Sequence, residues 1–468
     1  MTPQSSQLSH AAEHASGTVS SPFQPAPQDL IRVGSRRWFL QTGLAGIGGL
    51  SLPGLLQLQA QAAPGKAERT GRDRKSVILF WLSGGPSQLD MWDPKPNAPK
   101  EIRGPFQSID TALPGVRFCE HLPLQASIAD KLSIVRAVDC KASNHTPITM
   151  QAGNPLARRT DNGRDGDGFP SMGSIVSKFR GTNHPDMPAF VGLAPSWKAD
   201  VWEAGHMGRN YAPVDGLKLA GKLTPPKGIQ LDRLQDRDRL RQSFDRLRSD
   251  IDRNETLFSV DQYQQQAYDM VVGGYVQRAF DVGQETPETR ERYGRNTVGE
   301  KALLARRLVE AGVTYVLVSG AWGYFDHHGD NVKWGGIEKG LKPALPPVDQ
   351  ALHALVTDLE DRGLLDNTLV LMLGEFGRSP PMNRQAGRDH WTNVMSMVMA
   401  GGGFRHGQVI GSTDSRGGEV KSGLVRPQDM AASVFEFLGV DLNASWINPQ
   451  GRPIPVVVEG GRPIPELV

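Results

Sequence analysis

What most constrains this chain is a recurring unit: a short apolar run that stops at glycine or a charged loop, followed later by a helical pattern. The runs lie at residues 76–82, 132–138, 189–193, 313–318, 368–373 and 394–400. The first, SVILFWL, is apolar after its serine and meets Gly84, Gly85 and Pro86. That is the pattern of a strand buried on both faces. Helical spacing appears over residues 231–253, 261–282, 298–311, 348–362 and 429–438, with Gly312, Gly363 and Gly439 where C-terminal caps belong. Strands alternating with helices predict an α/β fold, a three-layer sandwich around a mainly parallel central sheet. In such sheets ligands collect beyond the carboxyl ends of the strands. The loops after the runs are therefore where chemistry is expected.

At 468 residues the chain can bury a sizeable core. Its net charge of +2 comes from 52 basic and 50 acidic residues, so no global field argues for nucleic acid or an anionic membrane surface. The mixed-charge stretch 231–253 reads as a solvated helix face. Residues 158–167 and 182–226 are polar or rich in glycine and proline, and read as surface or lid-like excursions. Residues 451–455 and 461–465 both read GRPIP, which suggests paired extended or edge segments.

The N-terminus carries its own message. A polar lead reaches Ser35-Arg36-Arg37, with Phe39 and Leu40 following, a pattern that resembles the twin-arginine export signal. A moderately apolar stretch to Leu58, broken by glycines and Pro53, then ends at Ala60-Gln61-Ala62, a small-residue cleavage pattern. Residues 1–62 thus read as a removable signal rather than a membrane anchor, and residues 75–468 as one mature domain without a transmembrane segment. The expectation is export by the twin-arginine machinery to the periplasm or beyond. In that oxidising setting Cys119 and Cys140 could form one bridge or remain two buried thiols.

Hard ligands gather after the apolar runs. Asp90 and Asp93 follow the first; Ser143, Asn144, His145 and Thr146 follow the second. Asp326, His327, His328 and Asp330 follow the run at 313–318, and Glu375, Arg378, Asp389 and His390 follow that at 368–373. Carboxylates with imidazoles in this arrangement suit zinc, manganese, magnesium or calcium. Each piece has an ordinary alternative. Asp90 could cap a helix, Asp389-His390 could be structural, and Thr146 or Ser143 could be caps instead of nucleophiles. Arg378 could face an anionic substrate or form a structural ion pair. His145 could be a ligand, a general acid or base, or a satisfied polar residue.

The motifs SGGPSQLDMWDPKP, NHTPITMQAGNP, FDHHGDN, LVLMLGEFGRSPPMNRQAGRDHW and AGGGFRHGQVIGSTD, with the closing GRPIP repeats, resemble domain-of-unknown-function family 1501, a branch of the alkaline phosphatase and sulfatase-like superfamily. The resemblance spans residues 76–468. It implies that Asp90 is similar to the acid after the first strand and Glu375 to the acid of a late pair. Asp326 and His328 resemble the acid and histidine of the other ion site, and His390 its final histidine. Phe376 stands where the late pair would have an imidazole. Cys140, in CKASNH, does not match the Cys-x-Pro-x-Arg pattern of a formylglycine sulfatase.

These readings converge on an exported, metal-dependent hydrolase of phosphate or sulfate esters, acting on a small-molecule or glycan ester. The resemblance implies a divalent ion held by Asp326, His328 and His390, with room for a second on Asp90 and Glu375. Thr146 or an ion-activated water attacks, with His145 and Arg378 as further catalytic candidates. The rival class is a non-catalytic protein binding a glycan or a cell-envelope partner on the same scaffold. A third reading makes the metal purely structural.

Overall fold

The computed structural model describes residues 73–468 except 144, 146, 158–167, 223–273 and 322. The signal at 1–62, Thr146, the polar loop 158–167, the helix expected at 231–253 and most of that expected at 261–282 lie outside the described residues. The apolar runs form strands of one sheet: β1 (Ser76–Trp81), β2 (Ser133–Val138), β3 (Phe190–Leu193), β5 (Tyr315–Ser319), β6 (Thr368–Leu373) and β7 (Met395–Gly401). Two shorter strands complete it, β4 (Val214–Asp215) and β8 (Gln408–Ile410). The order across the sheet is β8-β2-β7-β6-β1-β5-β3-β4. All pairings are parallel except those of β7, which runs antiparallel to both β2 and β6.

Every residue of β1 is buried, and successive side chains enter opposite layers. Ile78 and Phe80 join one apolar core with Leu303 and Leu308 of α2 (Thr297–Glu310) and Leu345, Leu352 and Leu355 of α3 (Lys342–Asp361). Val77, Leu79 and Trp81 join the other, with Ile175 and Val176 of α1 (Met172–Phe179) and Met430, Val434 and Phe435 of α4 (Pro427–Leu438). The result is the expected sandwich of helix, sheet and helix. Asn296 starts α2 by accepting the N–H groups of Val298 and Gly299. Gly439 ends α4 in the left-handed conformation. The third helix begins at Lys342, six residues before the sequence pattern suggests. It runs through Pro346 and Pro347, close to the end where a missing N–H costs least.

Three readings take definite form. Cys119 and Cys140 are both free and lie in the two different core layers, with burial pushing each thiol up to about 12. The two GRPIP copies do not pair with each other. Pro453–Pro455 pairs with Ser445–Ile447, while the second copy hangs on α4, with Arg462 N–H donating to Asp429 and Ile464 N–H to Ser433. The stretch 182–226 is no mere surface excursion, since it supplies β3 and β4 to the sheet. Among the described residues, no helix is long and apolar enough to cross a membrane.

Candidate metal centre

Because all strands but β7 are parallel, β1, β2, β3, β5 and β6 end on one edge of the sheet. The antiparallel β7 begins on that edge, so the residues before it arrive there as well. His145 follows β2, Asp326 and His328 follow β5, Glu375 follows β6, and His390 precedes β7. Residues far apart in the chain are thus brought to one place by topology alone.

His145, Asp326, His328 and His390 each turn one ligand atom into a group whose members all lie within 4.8 Å of one another. Asp326 Oδ1 is 3.0 Å from His328 Nε2, 3.4 Å from His145 Nε2 and 3.8 Å from His390 Nε2. The Nε2 atoms of His328 and His390 face each other at 2.8 Å. Two imidazole nitrogens meet in this way when one carries a proton or when both lone pairs serve the same cation. Three imidazoles and one carboxylate match a four-coordinate zinc-type donor set, so this cluster could hold a metal ion.

The surroundings bias the charge of the four groups differently. Burial would raise the Asp326 carboxyl, but hydrogen bonds from His145, His390 and Arg378 hold it far below the usual carboxylate range. His328 is pushed down by burial and then by the Arg378 charge. His390 is pushed down by burial, with its Asp326 contact opposing and Arg378 reinforcing the shift. Burial pulls His145 down too, yet its contacts with Asp326 and Glu375 outweigh this and raise it to about 9. Glu375 does not join the four. Its Oε1 accepts the Gly84 N–H at 2.7 Å and lies 3.5 Å from His145 Nδ1. A carboxylate on one nitrogen of a histidine aims the other nitrogen inward.

Two glycines let the elements close in. Gly84 and Gly85 have φ of +111° and +91°, and a Cβ on Gly84 would lie 2.5 Å from the Asp326 backbone nitrogen. A Cβ on Gly85 would lie 2.7 Å from the Phe376 ring. Phe376 packs its ring 4.5 Å from that of His390 and 5.2 Å from that of His145. It walls the imidazoles instead of ligating.

Asp90 and Arg378 are held by other parts of the chain. Asp90 is outside the cluster because its carboxylate is spent on Arg388, with contacts of 2.6 and 3.1 Å, and on the Ser87 hydroxyl at 2.5 Å. Both members of the Asp90–Arg388 pair are fully buried. Arg378 is only 1% exposed, and its guanidinium is engaged by the protein. Its N–H groups go to the carbonyls of Gly84, Gly85 and Arg388 and to Asp326 at 2.7 Å, tying three strand-end loops together. Asp389, half of the Asp389-His390 pair, accepts from Asn383 at 3.0 Å. Sequence reasoning missed the buried role of Arg388; its place beside the Asp389-His390 pair was the available signal.

Among solved structures the chain is similar to Ps i-CgsB in complex with k-i-k-neocarrahexaose, at 12% identity over 78% of this chain and 72% of that one, with a TM-score of 0.39. It is also similar to the PsFucS1 sulfatase from Pseudoalteromonas sp., at 13% identity over 89% and 72%, TM-score 0.36. A third is the lipoteichoic acid synthase LtaP from Listeria monocytogenes, at 10% identity over 86% and 78%, TM-score 0.32. Such overlaps are loose and do not bear on chemistry. No curated protein matches the chain. The model of one family, described as a protein of unknown function (DUF1501), matches residues 74–468, and the chain belongs to that family.

Proposed function

We propose that this protein is an exported, metal-dependent hydrolase of phosphate or sulfate esters, with its divalent ion on His145, Asp326, His328 and His390. The observation that carries the reading is the convergence of four ligand atoms, from loops after β2 and β5 and before β7, within 4.8 Å of one another. A bound ion there would act as a Lewis acid toward an ester oxygen. The chain supplies the rest. Asp326 stays ionised, Glu375 orients His145, and Phe376 holds two imidazole faces. The His145, His328 and His390 side chains are 29%, 31% and 37% exposed, so the cluster is open to a ligand arriving from solvent. Thr146, adjoining His145 in sequence, is the hydroxyl this reading selects to attack the ester. The twin-arginine signal supports export to the periplasm or beyond.

Phe376 favours one alternative, a glycan- or envelope-binding protein on the same scaffold, because it removes an imidazole from the second ion position. Elemental analysis of the chain from Ala63 onward, beside an Asp326→Asn/His328→Ala variant, separates the two. The hydrolase reading expects about one equivalent of zinc or manganese in the wild type, absent from the variant, and turnover of an aryl phosphate or aryl sulfate lost with it. A folded wild type that takes up no ion and turns over neither ester would defeat it.

A further inference from the structure

Two buried carboxylates, Glu375 and Asp200, each have an oxygen with no hydrogen-bond partner. Glu375 is 3% exposed and its Oε2 accepts no hydrogen bond. Asp200, at the end of the short helix Trp197–Asp200, is 0% exposed and its Oδ1 accepts none. Their other oxygens are engaged: Glu375 Oε1 by the Gly84 N–H, and Asp200 Oδ2 by the Ser319 hydroxyl at 3.0 Å. The Ser83 hydroxyl also faces the Asp200 carboxylate, and burial together with the Glu375 charge pushes Asp200 up to about 6. These groups follow β6, β1, β5 and β3, four neighbouring strands of the sheet, so Glu375, Ser83, Ser319 and Asp200 line one stretch of its carboxyl edge. The nearby ammonium does not fill the gap. Lys301 Nζ is committed to the carbonyls of Ser319 and Gly320.

A buried carboxylate oxygen without a donor is costly, and Glu375 and Asp200 meet neighbouring groups of the same turn, Glu375 through the Gly84 N–H and Asp200 through the Ser83 hydroxyl. We propose that Glu375 Oε2 and Asp200 Oδ1, with the Ser83 hydroxyl, bind a magnesium or calcium ion. The donors are all oxygens, which suits a hard cation and separates this site from the imidazole-rich cluster. Glu375 then stands between two ions, one oxygen directed through His145 to the first and the other toward the second. The assignment does not depend on the proposed hydrolase activity. The sequence gives no hint of it, because Asp200 lies in a glycine- and proline-rich stretch without a motif.

Calorimetric titration of magnesium chloride, then calcium chloride, into chelator-treated and zinc-reloaded full-length mature protein tests the proposal. The expected result is one equivalent of one of these ions in the wild type. Asp200→Asn, which keeps an acceptor for Ser319, weakens this at least 10-fold while zinc content is unchanged. Ser83→Ala, with its smaller change in charge and volume, weakens it several-fold and serves if Asp200→Asn does not fold. A wild type that binds neither ion overturns the proposal and leaves a bridging water, which could donate to both oxygens. Unaltered binding in both variants overturns it as well. A wild type that binds calcium or magnesium but no zinc would sink the hydrolase reading and leave this site standing.

Discussion

Two regions of the molecule bury clusters of charge, and they do so in opposite ways. Between α2 and α3, the fully buried Arg306 side chain lies 2.8 Å from Glu285 and 2.9 Å from Asp358, although neither N–H points straight at its oxygen. Asp358 also accepts from the Tyr293 hydroxyl at 2.9 Å and from Arg362 at 2.9 Å, and Glu285 pairs with Arg307. Every charge there meets its opposite inside the protein. At the carboxyl edge of the sheet, by contrast, His328 and His390 aim like atoms at each other, and Glu375 and Asp200 hold oxygens with nothing to accept. In the first network opposite charges lie side by side, although Arg306 Nε and Nη2 make no aligned hydrogen bond. The second sets like groups against each other, the arrangement expected of a site that takes up a ligand.

This difference predicts that the regions fail differently. Arg306→Met removes one partner from a closed buried network and leaves Glu285 and Asp358 uncompensated. The expected loss is about 3–5 kcal/mol of unfolding free energy in urea, with metal content unchanged in the folded fraction. Asp326→Asn is expected to do the reverse, losing the ion while keeping an acceptor for Arg378 and most of the stability. If Asp326→Asn proved as destabilising as Arg306→Met in metal-free protein, the contrast would collapse and the strand-edge cluster would be structural.

The next effect is a ligand-linked gain. Zinc bound to the folded state alone should stabilise the wild type by about 2.7 kcal/mol when the free ion is one hundred times its dissociation constant. Thermal melts with and without zinc should show the shift in the wild type and in Arg306→Met, and none in Asp326→Asn/His328→Ala. An equal shift in all three would mean that zinc acts elsewhere.

Much of this architecture is legible in the sequence because fully buried parallel strands are apolar without interruption. The runs at 76–82 and 368–373 differ by at most one residue from β1 and β6. What pairs with what is less legible. The sequence sets Asp326, His328 and His390 after or before strands, whereas it leaves His145 three equal roles. The approach of His145 Nε2 to Asp326 at 3.4 Å, with its ring 4.1 Å from that of His390, puts it among the four. For Asp90 the sequence is ambiguous, because an acid after a first strand carries the same pattern whether it meets a metal or a buried guanidinium. The distinguishing partner, Arg388, is 298 residues away. Contacts at that separation are set by tertiary geometry, which local propensity and spacing do not carry.

The smallest expected effect is the sharpest test of how the open cluster is organised. In Glu375→Gln the side-chain carbonyl can still accept the Gly84 N–H, so the loop after β1 keeps its place. What is lost is the negative charge beside His145 Nδ1, which favours the tautomer that presents Nε2 to the ion. Removing such an outer partner should weaken zinc binding about 10- to 100-fold without abolishing it. Asp200→Asn, which touches the oxygen site alone, should leave zinc affinity as it is. If Glu375→Gln abolished zinc binding as completely as the Asp326→Asn/His328→Ala variant, Glu375 would be a direct ligand, and the cluster would need a geometry other than the four atoms described. If it changed nothing, the approach of Glu375 to His145 at 3.5 Å would be incidental, and the orientation of that ring would rest on its other contacts, those with Phe376 and Asp326 among them.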